Sequence, residues 1–163
     1  MRDASSPAGA SVPSEVGSLA DARKALVFGG GTFVGEGNWR RVVRIGDVVY
    51  KMDRTSAGMN EVEHRVAEAG RAKLPPNIRI PEITLYDIDG VRVLAMPYIE
   101  GVAVAICPED DGLGPCSDCS TCLPTVVARQ IEAVTPDGVV SGNTLRQGDT
   151  FVIIDLDYAP DDV

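Results

Sequence analysis

All four cysteines of this chain fall in one loop, in the pattern Cys107-x8-Cys116-x2-Cys119-x2-Cys122. Four thiolates in a Gly-, Pro- and Asp-rich stretch can surround a zinc ion tetrahedrally, and such a site contributes folding energy directly. Two adjacent x2 gaps are not a common zinc spacing. An iron–sulfur cluster, plain reduced thiols and disulfides therefore stay open beside structural zinc. A second group of residues suits an anion. Gly35-Glu36-Gly37 lets the backbone approach a charged group and present its N–H groups, although Gly-x-Gly in a hairpin is more often just a turn. In Val48-Val49-Tyr50-Lys51, period-two alternation puts Val49 and the Lys51 ammonium on one face of a strand. Most strand-end lysines are simply solvated. Asp155 directly follows an apolar run, a common place for an acidic residue, and the single histidine, His64, is expected at the surface beside Glu63.

These residues need elements to position them. Residues 1–17 are Ala, Ser, Pro and Gly with few large apolar side chains, and are expected to be disordered. Ser18-Leu-Ala-Asp21 is a capping pattern for a short helix leading to Leu26. From Ala25 to Met52 the sequence turns to short β-prone runs, beginning with Leu26-Val27-Phe28 and separated by glycines, with a Gly46-Asp47 turn before Val48. That pattern predicts an antiparallel meander. Ala57 to about Arg71 has helical spacing, with Met59, Val62, Val66 and Ala69 on one face and Gly70 beside it, and Leu74-Pro75-Pro76 stops the helix. Ile83–Ile88 and Val91–Met96 form a hairpin through Asp89-Gly90. Beyond Gly101 come the cysteine loop, a helix over Pro124–Val134, a polar loop to Asn143, and a strand Phe151–Ile154 reached through a Gly148-Asp149 turn.

The 163 residues suffice for one compact domain or two small lobes sharing a cleft. With 5% aromatic residues the core must rest on Val, Ile, Leu and Ala. A net charge of -9 with no offsetting basic cluster argues against nucleic acid as a partner. No run approaches the ~18 apolar residues that span a bilayer, and the start of the chain lacks a signal-peptide stretch. A cytoplasmic protein with reduced cysteines is the expectation.

The order strand, glycine turn, strand, lysine strand, helix, two strands resembles the small lobe of the protein kinase and aminoglycoside phosphotransferase superfamily. The resemblance covers Val27–Glu100 well and Asp137–Ala159 in part. It implies an α+β, kinase-like two-lobe fold: a small lobe over 18–100 with a five-stranded antiparallel sheet and one helix, and a much reduced large lobe over 101–163. It also implies ATP as ligand, with Val49 against adenine, Lys51 on the phosphates, and a helix carboxylate holding Lys51. Glu61 and Glu63 both qualify, and Glu63 is chosen because it borders the buried face. Gly35 and Gly37 stand where the phosphate-covering loop belongs, with Arg40 at the family's third glycine. Met96-Pro97-Tyr98-Ile99 resembles the hinge, where Met96 and Tyr98 would border adenine and a backbone N–H of Tyr98 or Ile99 would donate to it. Ser141-Gly142-Asn143 and Ile153-Ile154-Asp155-Leu156-Asp157 resemble the magnesium-binding pair, which makes Asn143 and Asp155 the metal ligands and Asp157 a reserve.

Two departures matter. The family's His-x-Asp base has no match five residues before Asn143; Asp137 lies six before, with no histidine. The large lobe also has one convincing helix and no docking platform. Three readings follow: an ATP-dependent phosphotransferase with Asp137 as base, a pseudokinase that binds a protein partner, and a zinc-stabilised interaction module. The first two require Lys51 and Asp155 to share one side of the molecule.

Overall fold

The protein, represented by a computed structural model, is described over residues 15–28, 32–36, 40–53, 58–106, 121–135 and 143–155. In chain order the elements are α1 (Leu19–Phe28), β1 (Thr32–Glu36), β2 (Arg40–Ile45), β3 (Val48–Asp53), α2 (Met59–Gly70), a single 3-10 turn, β4 (Ile78–Arg79), β5 (Thr84–Ile88) and β6 (Val91–Pro97). There follow β7 (Val102–Ala103), β8 (Ala105–Ile106), β9 (Cys122–Leu123), α3 (Thr125–Glu132), β10 (Thr144–Gln147) and β11 (Thr150–Ile153). Among the described residues the strands form a five-stranded sheet, a four-stranded sheet and a two-stranded pair.

The five-stranded sheet is antiparallel, ordered β1-β2-β3-β6-β5. Its tight turns sit where glycine permits positive φ: Gly46 at 62° between β2 and β3, and Asp89-Gly90 at 53° and 88° between β5 and β6. Strict alternation sorts the side chains. Val49, Leu94 and Met96 join the core that also holds α2 and α3, while Tyr50, Met52, Val93 and Ala95 face the opposite way.

On that opposite face lies α1. Ser18 Oγ accepts the Asp21 N–H at 3.1 Å, the cap expected from sequence. Leu26-Val27-Phe28, expected as the first strand, is instead the last turn of this helix. Once capped, a segment rich in Ala, Leu, Arg and Lys continues helically and buries Ala22 and Ala25 on the sheet, which outweighs the β preference of three residues. The chain is also tied down earlier than expected. Val16 donates its N–H to Thr84 Oγ1 at 2.8 Å and accepts from the Tyr86 hydroxyl at 2.7 Å. Gly17 adopts φ 72°, where an added Cβ would collide with the Tyr50 hydroxyl. Residues 15–17 thus belong to the fold; residues 1–14 lie outside the described residues.

Helix α2 buries Met59, Asn60, Glu63, Ala67 and Gly70. The inward stripe is rotated from the one expected, so Ala69 is exposed and two polar residues point inside. Apolar spacing alone missed this because Asn60 and Glu63 have partners waiting in the sheet. Gly70 lets α2 approach the turn that follows Glu132, since a Cβ there would run into Val134 Cγ1.

The four-stranded sheet is ordered β4-β11-β10-β7, with β4 parallel to β11 and the other pairs antiparallel. Strand β4, from the segment 18–100, is thus part of it. The main core likewise runs across Gly101, with Ile78, Ile80, Leu94 and Met96 packed with Val104, Leu123, Ile131, Phe151 and Ile153. The physical reason is size: four strands of two to four residues cannot bury enough apolar surface by themselves. No helix of the described residues is long and apolar enough to cross a membrane.

Candidate functional site

Lys51 sits in the middle of the main sheet, paired with Val42 on β2 and Leu94 on β6. Its residue is 5% exposed, so the ammonium is held out of water and needs compensation. Nζ donates to Glu63 Oε1 at 2.9 Å and to the Ile154 carbonyl at 2.7 Å, and lies 3.9 Å from Asp155 Oδ1. Lys51 and Asp155 therefore share one side of the molecule. Glu63 is 1% exposed, whereas Glu61 is exposed and reaches Arg92 at 3.4 Å. Of the two helix carboxylates, Glu63 meets the lysine.

Sequence reasoning missed Arg40, noting it only as the residue at the family's third glycine. It is 5% exposed and bonds into the same site. Its guanidinium donates to Glu63, to Asn60 Oδ1 at 3.1 Å and, through Nη2, to Asp155 Oδ1 at 2.6 Å. The signal was present in the hairpin register. With Val42 opposite Lys51 across a tight turn, alternation puts Arg40 on the lysine's face. Arg40, Lys51, Glu63 and Asp155 form an alternating set of two cations and two anions, which lets all four be partly or wholly buried.

Asn60 completes the network and is fully buried. Its amide donates to the Lys51 and Arg92 carbonyls, both at 2.9 Å, while its oxygen accepts from Arg40. Its backbone N–H donates to the Asp53 carboxylate at 3.3 Å, so β3 caps a helix whose own N-cap, Gly58, offers no side chain. Burial raises the Asp53 carboxyl above its ordinary value, against the opposing pull of the Asn60 amide and Arg40.

The hairpin β10–β11 brings the acidic end. Thr144 pairs with Ile153, and Ile154 donates its N–H to the Asn143 carbonyl at 2.8 Å. Asn143 and Asp155 therefore leave the same end of the hairpin. Gly35 lies opposite Val42 at a register irregularity in β1, in line with Lys51 across the sheet. Met96 is buried opposite Val49. The hinge donor is expected at Tyr98 or Ile99, and the structure engages the first of these, Tyr98. Its N–H is already committed to the Asp47 carbonyl at 2.7 Å, because the β3–β6 ladder continues one residue past Pro97. The Tyr98 ring instead stacks on Arg44, 3.7 Å from guanidinium carbon to ring centroid.

Gly37, Asp137, Asp157, Cys107, Cys116 and Cys119 lie outside the described residues. Cys122 is buried on β9. Among the described residues no group of three or more His, Cys, Asp or Glu is placed to hold a metal ion. The oxygen donors of Asn143 and Asp155 are of the kind a hard divalent cation takes. Yet Asp155 already faces a guanidinium and an ammonium on a single oxygen. A divalent ion at that oxygen would have to stand beside both cations.

No protein-family model matches the sequence, and comparison with curated proteins finds no match. Among solved structures, the GDP and kanamycin complex of APH(2")-IIia, an aminoglycoside phosphotransferase, aligns at 14% identity with a TM-score of 0.38. The alignment covers 53% of this chain and 32% of that one, so it spans about a third of that structure's length.

Proposed function

We propose that this chain is a kinase-like nucleotide-binding protein that takes ATP against the Lys51 face of the five-stranded sheet. One observation supports the reading above all: Lys51, locked by Glu63 at 2.9 Å, stands 3.9 Å from Asp155. A buried ammonium oriented by a carboxylate is prepared for phosphate oxygens and needs little reorganisation to meet them. Gly35 and Gly37 would cover the phosphates with backbone N–H groups, and Val49, Met96 and Tyr98 would border the base. In the catalytic form of the reading, an acceptor hydroxyl attacks the γ-phosphorus and the bond to the β–γ bridging oxygen breaks. Asp137 takes the hydroxyl proton and ADP leaves. Magnesium at Asn143 and Asp155 requires Arg40 to leave that carboxylate.

A second reading, a non-catalytic module that acts by binding a protein partner, is favoured by Arg40. Its guanidinium bonds to Glu63 and Asp155, two of the carboxylates that a catalytic site would use. Structural zinc on Cys107, Cys116, Cys119 and Cys122 is compatible with either reading.

Thermal unfolding tests nucleotide binding. A ligand at 100 times its Kd stabilises by about 2.7 kcal/mol. For a chain of this length that is a rise of roughly 5–10 °C in Tm. ATP should produce it in the wild type and not in Lys51→Ala. No rise with ATP or GTP, with or without magnesium, would remove the nucleotide. ADP formation lost in both Lys51→Ala and Asp155→Ala separates the catalytic form from the partner-binding one.

A further inference from the structure

We propose that Arg40 is a built-in counter-cation that occupies, on Asp155, the position a divalent ion would need, so that nucleotide binding here is independent of metal. The second half of this statement rests on the nucleotide reading above; the first half stands on geometry alone. Arg40 Nη2 lies 2.6 Å from Asp155 Oδ1, and the Lys51 ammonium is 3.9 Å from the same oxygen. A magnesium ion bonds a carboxylate oxygen at about 2.0–2.1 Å. At Asp155 Oδ1 it would have to enter beside two fixed positive charges.

Arg40 is not a surface side chain that happens to reach the site. Its place is set by the β2–β3 register, where it pairs with Asp53, and by bonds to Asn60 and Glu63. It is nearly fully buried, whereas the Asp155 side chain keeps a third of its surface exposed. Guanidinium stays charged at every pH a protein survives, so this cation cannot be lost by titration or chelation. A nucleotide arriving at the Lys51 face would meet two covalently attached cations, where a metal-dependent site offers one lysine and an ion from solution. The free polyphosphate would then bind as well as its magnesium complex.

Two titrations test this. The first adds Mn2+ to the wild type, Asp155→Asn, Arg40→Met and the double variant Arg40→Met/Asp155→Asn, followed by electron paramagnetic resonance, with circular dichroism to confirm folding. The wild type should show no site tighter than about millimolar. Arg40→Met should gain one, at least tenfold tighter, which the double variant loses. A wild-type Mn2+ site that Asp155→Asn abolishes overturns the counter-cation, as does a folded Arg40→Met that gains nothing. The second uses the wild type alone, so it survives any folding defect of the variants: a fluorescent ATP analogue is titrated in EDTA and in magnesium. Dissociation constants equal within about twofold are expected, and tightening of tenfold or more by magnesium overturns the proposal. Absence of binding in both media brings down the nucleotide reading and the metal-independence built on it, while the Mn2+ result still decides the role of Arg40.

Discussion

Arg40 and Asp155 are 115 positions apart in the chain, and the guanidinium of one bonds the carboxylate of the other at 2.6 Å. The contact joins the start of β2 to the segment just after β11, and Glu63 on α2 and Lys51 on β3 close the ring around it. Four charges from four elements thus depend on one another, and their removal should be felt as a loss of stability before it is felt as a loss of function.

Glu63 is the member whose deletion costs most, because it faces both cations and, unlike Asp155, is almost wholly buried. Glu63→Ala leaves Arg40 and Lys51 buried with one shared carboxylate, and breaking a buried pair in this way typically costs about 3–5 kcal/mol. Glu63→Gln, which keeps the shape and one acceptor, should cost less. Urea unfolding at constant m reads the difference. A loss below about 1 kcal/mol for Glu63→Ala, typical of an exposed pair, would mean that water reaches this site freely.

Gly70→Ala sets two effects of known size against each other. Alanine gains about 0.8–1.0 kcal/mol over glycine in a helix interior, less near its end. The new Cβ, however, meets Val134 Cγ1, a β-branched side chain with little freedom to turn away, and overpacking costs about 1–3 kcal/mol. A net loss is expected. In a Val134→Ala background the same substitution should become neutral or stabilising, and a loss that persists there would exclude the clash as its cause.

Tyr86 makes the amino-terminal attachment sensitive to alkali. Burial, then the nearby Glu15 charge, pushes its phenol up to about 12 from the ordinary 10.0. The folded state therefore holds the proton more tightly than the unfolded chain. The resulting stability is fully present below pH 10 and is lost as pH rises from 10 toward 12. Ionisation also removes the donor to the Val16 carbonyl. Tyr86→Phe should flatten part of the fall in Tm across that window, with Tyr50, also raised by burial, carrying a further part. Parallel curves for wild type and variant would show that Tyr86 ionises as readily folded as unfolded.

The cysteine loop is tested by metal content. If Cys107, Cys116, Cys119 and Cys122 hold structural zinc, purified protein should contain about one zinc per chain, and Cys119→Ser should lose it along with much of its stability. Protein with no bound metal and four thiols titratable under denaturing conditions would leave the reduced state in its place.

Much of the local structure could be read from the residues directly. The Ser18 cap, the Gly46 and Asp89-Gly90 turns, the extent of α2 within a residue or two and the Gly148 return all follow from chemistry that acts over four residues or fewer. Those signals are strong because glycine, proline and capping side chains have few alternatives. Alternation also put Val49 and Lys51 on one face of β3, and the family resemblance implied a helix carboxylate to hold the lysine, with the helix face favouring Glu63 over Glu61.

Tertiary structure decided what no short window contains. Leu26-Val27-Phe28 became helix because α1 had a sheet face to cover, and Ile78–Arg79 became a strand because β11 offered it a free edge. The stripe of α2 turned to admit Asn60 and Glu63, since partners at Arg40, Lys51 and two backbone carbonyls outweighed the cost of burying polar groups. Arg40 is the sharpest instance. Its type and its face were present in the sequence, but a guanidinium finds its carboxylates only when strands far apart along the chain are folded against each other. Desolvation there makes the pairing obligatory, and desolvation is a property of the whole fold.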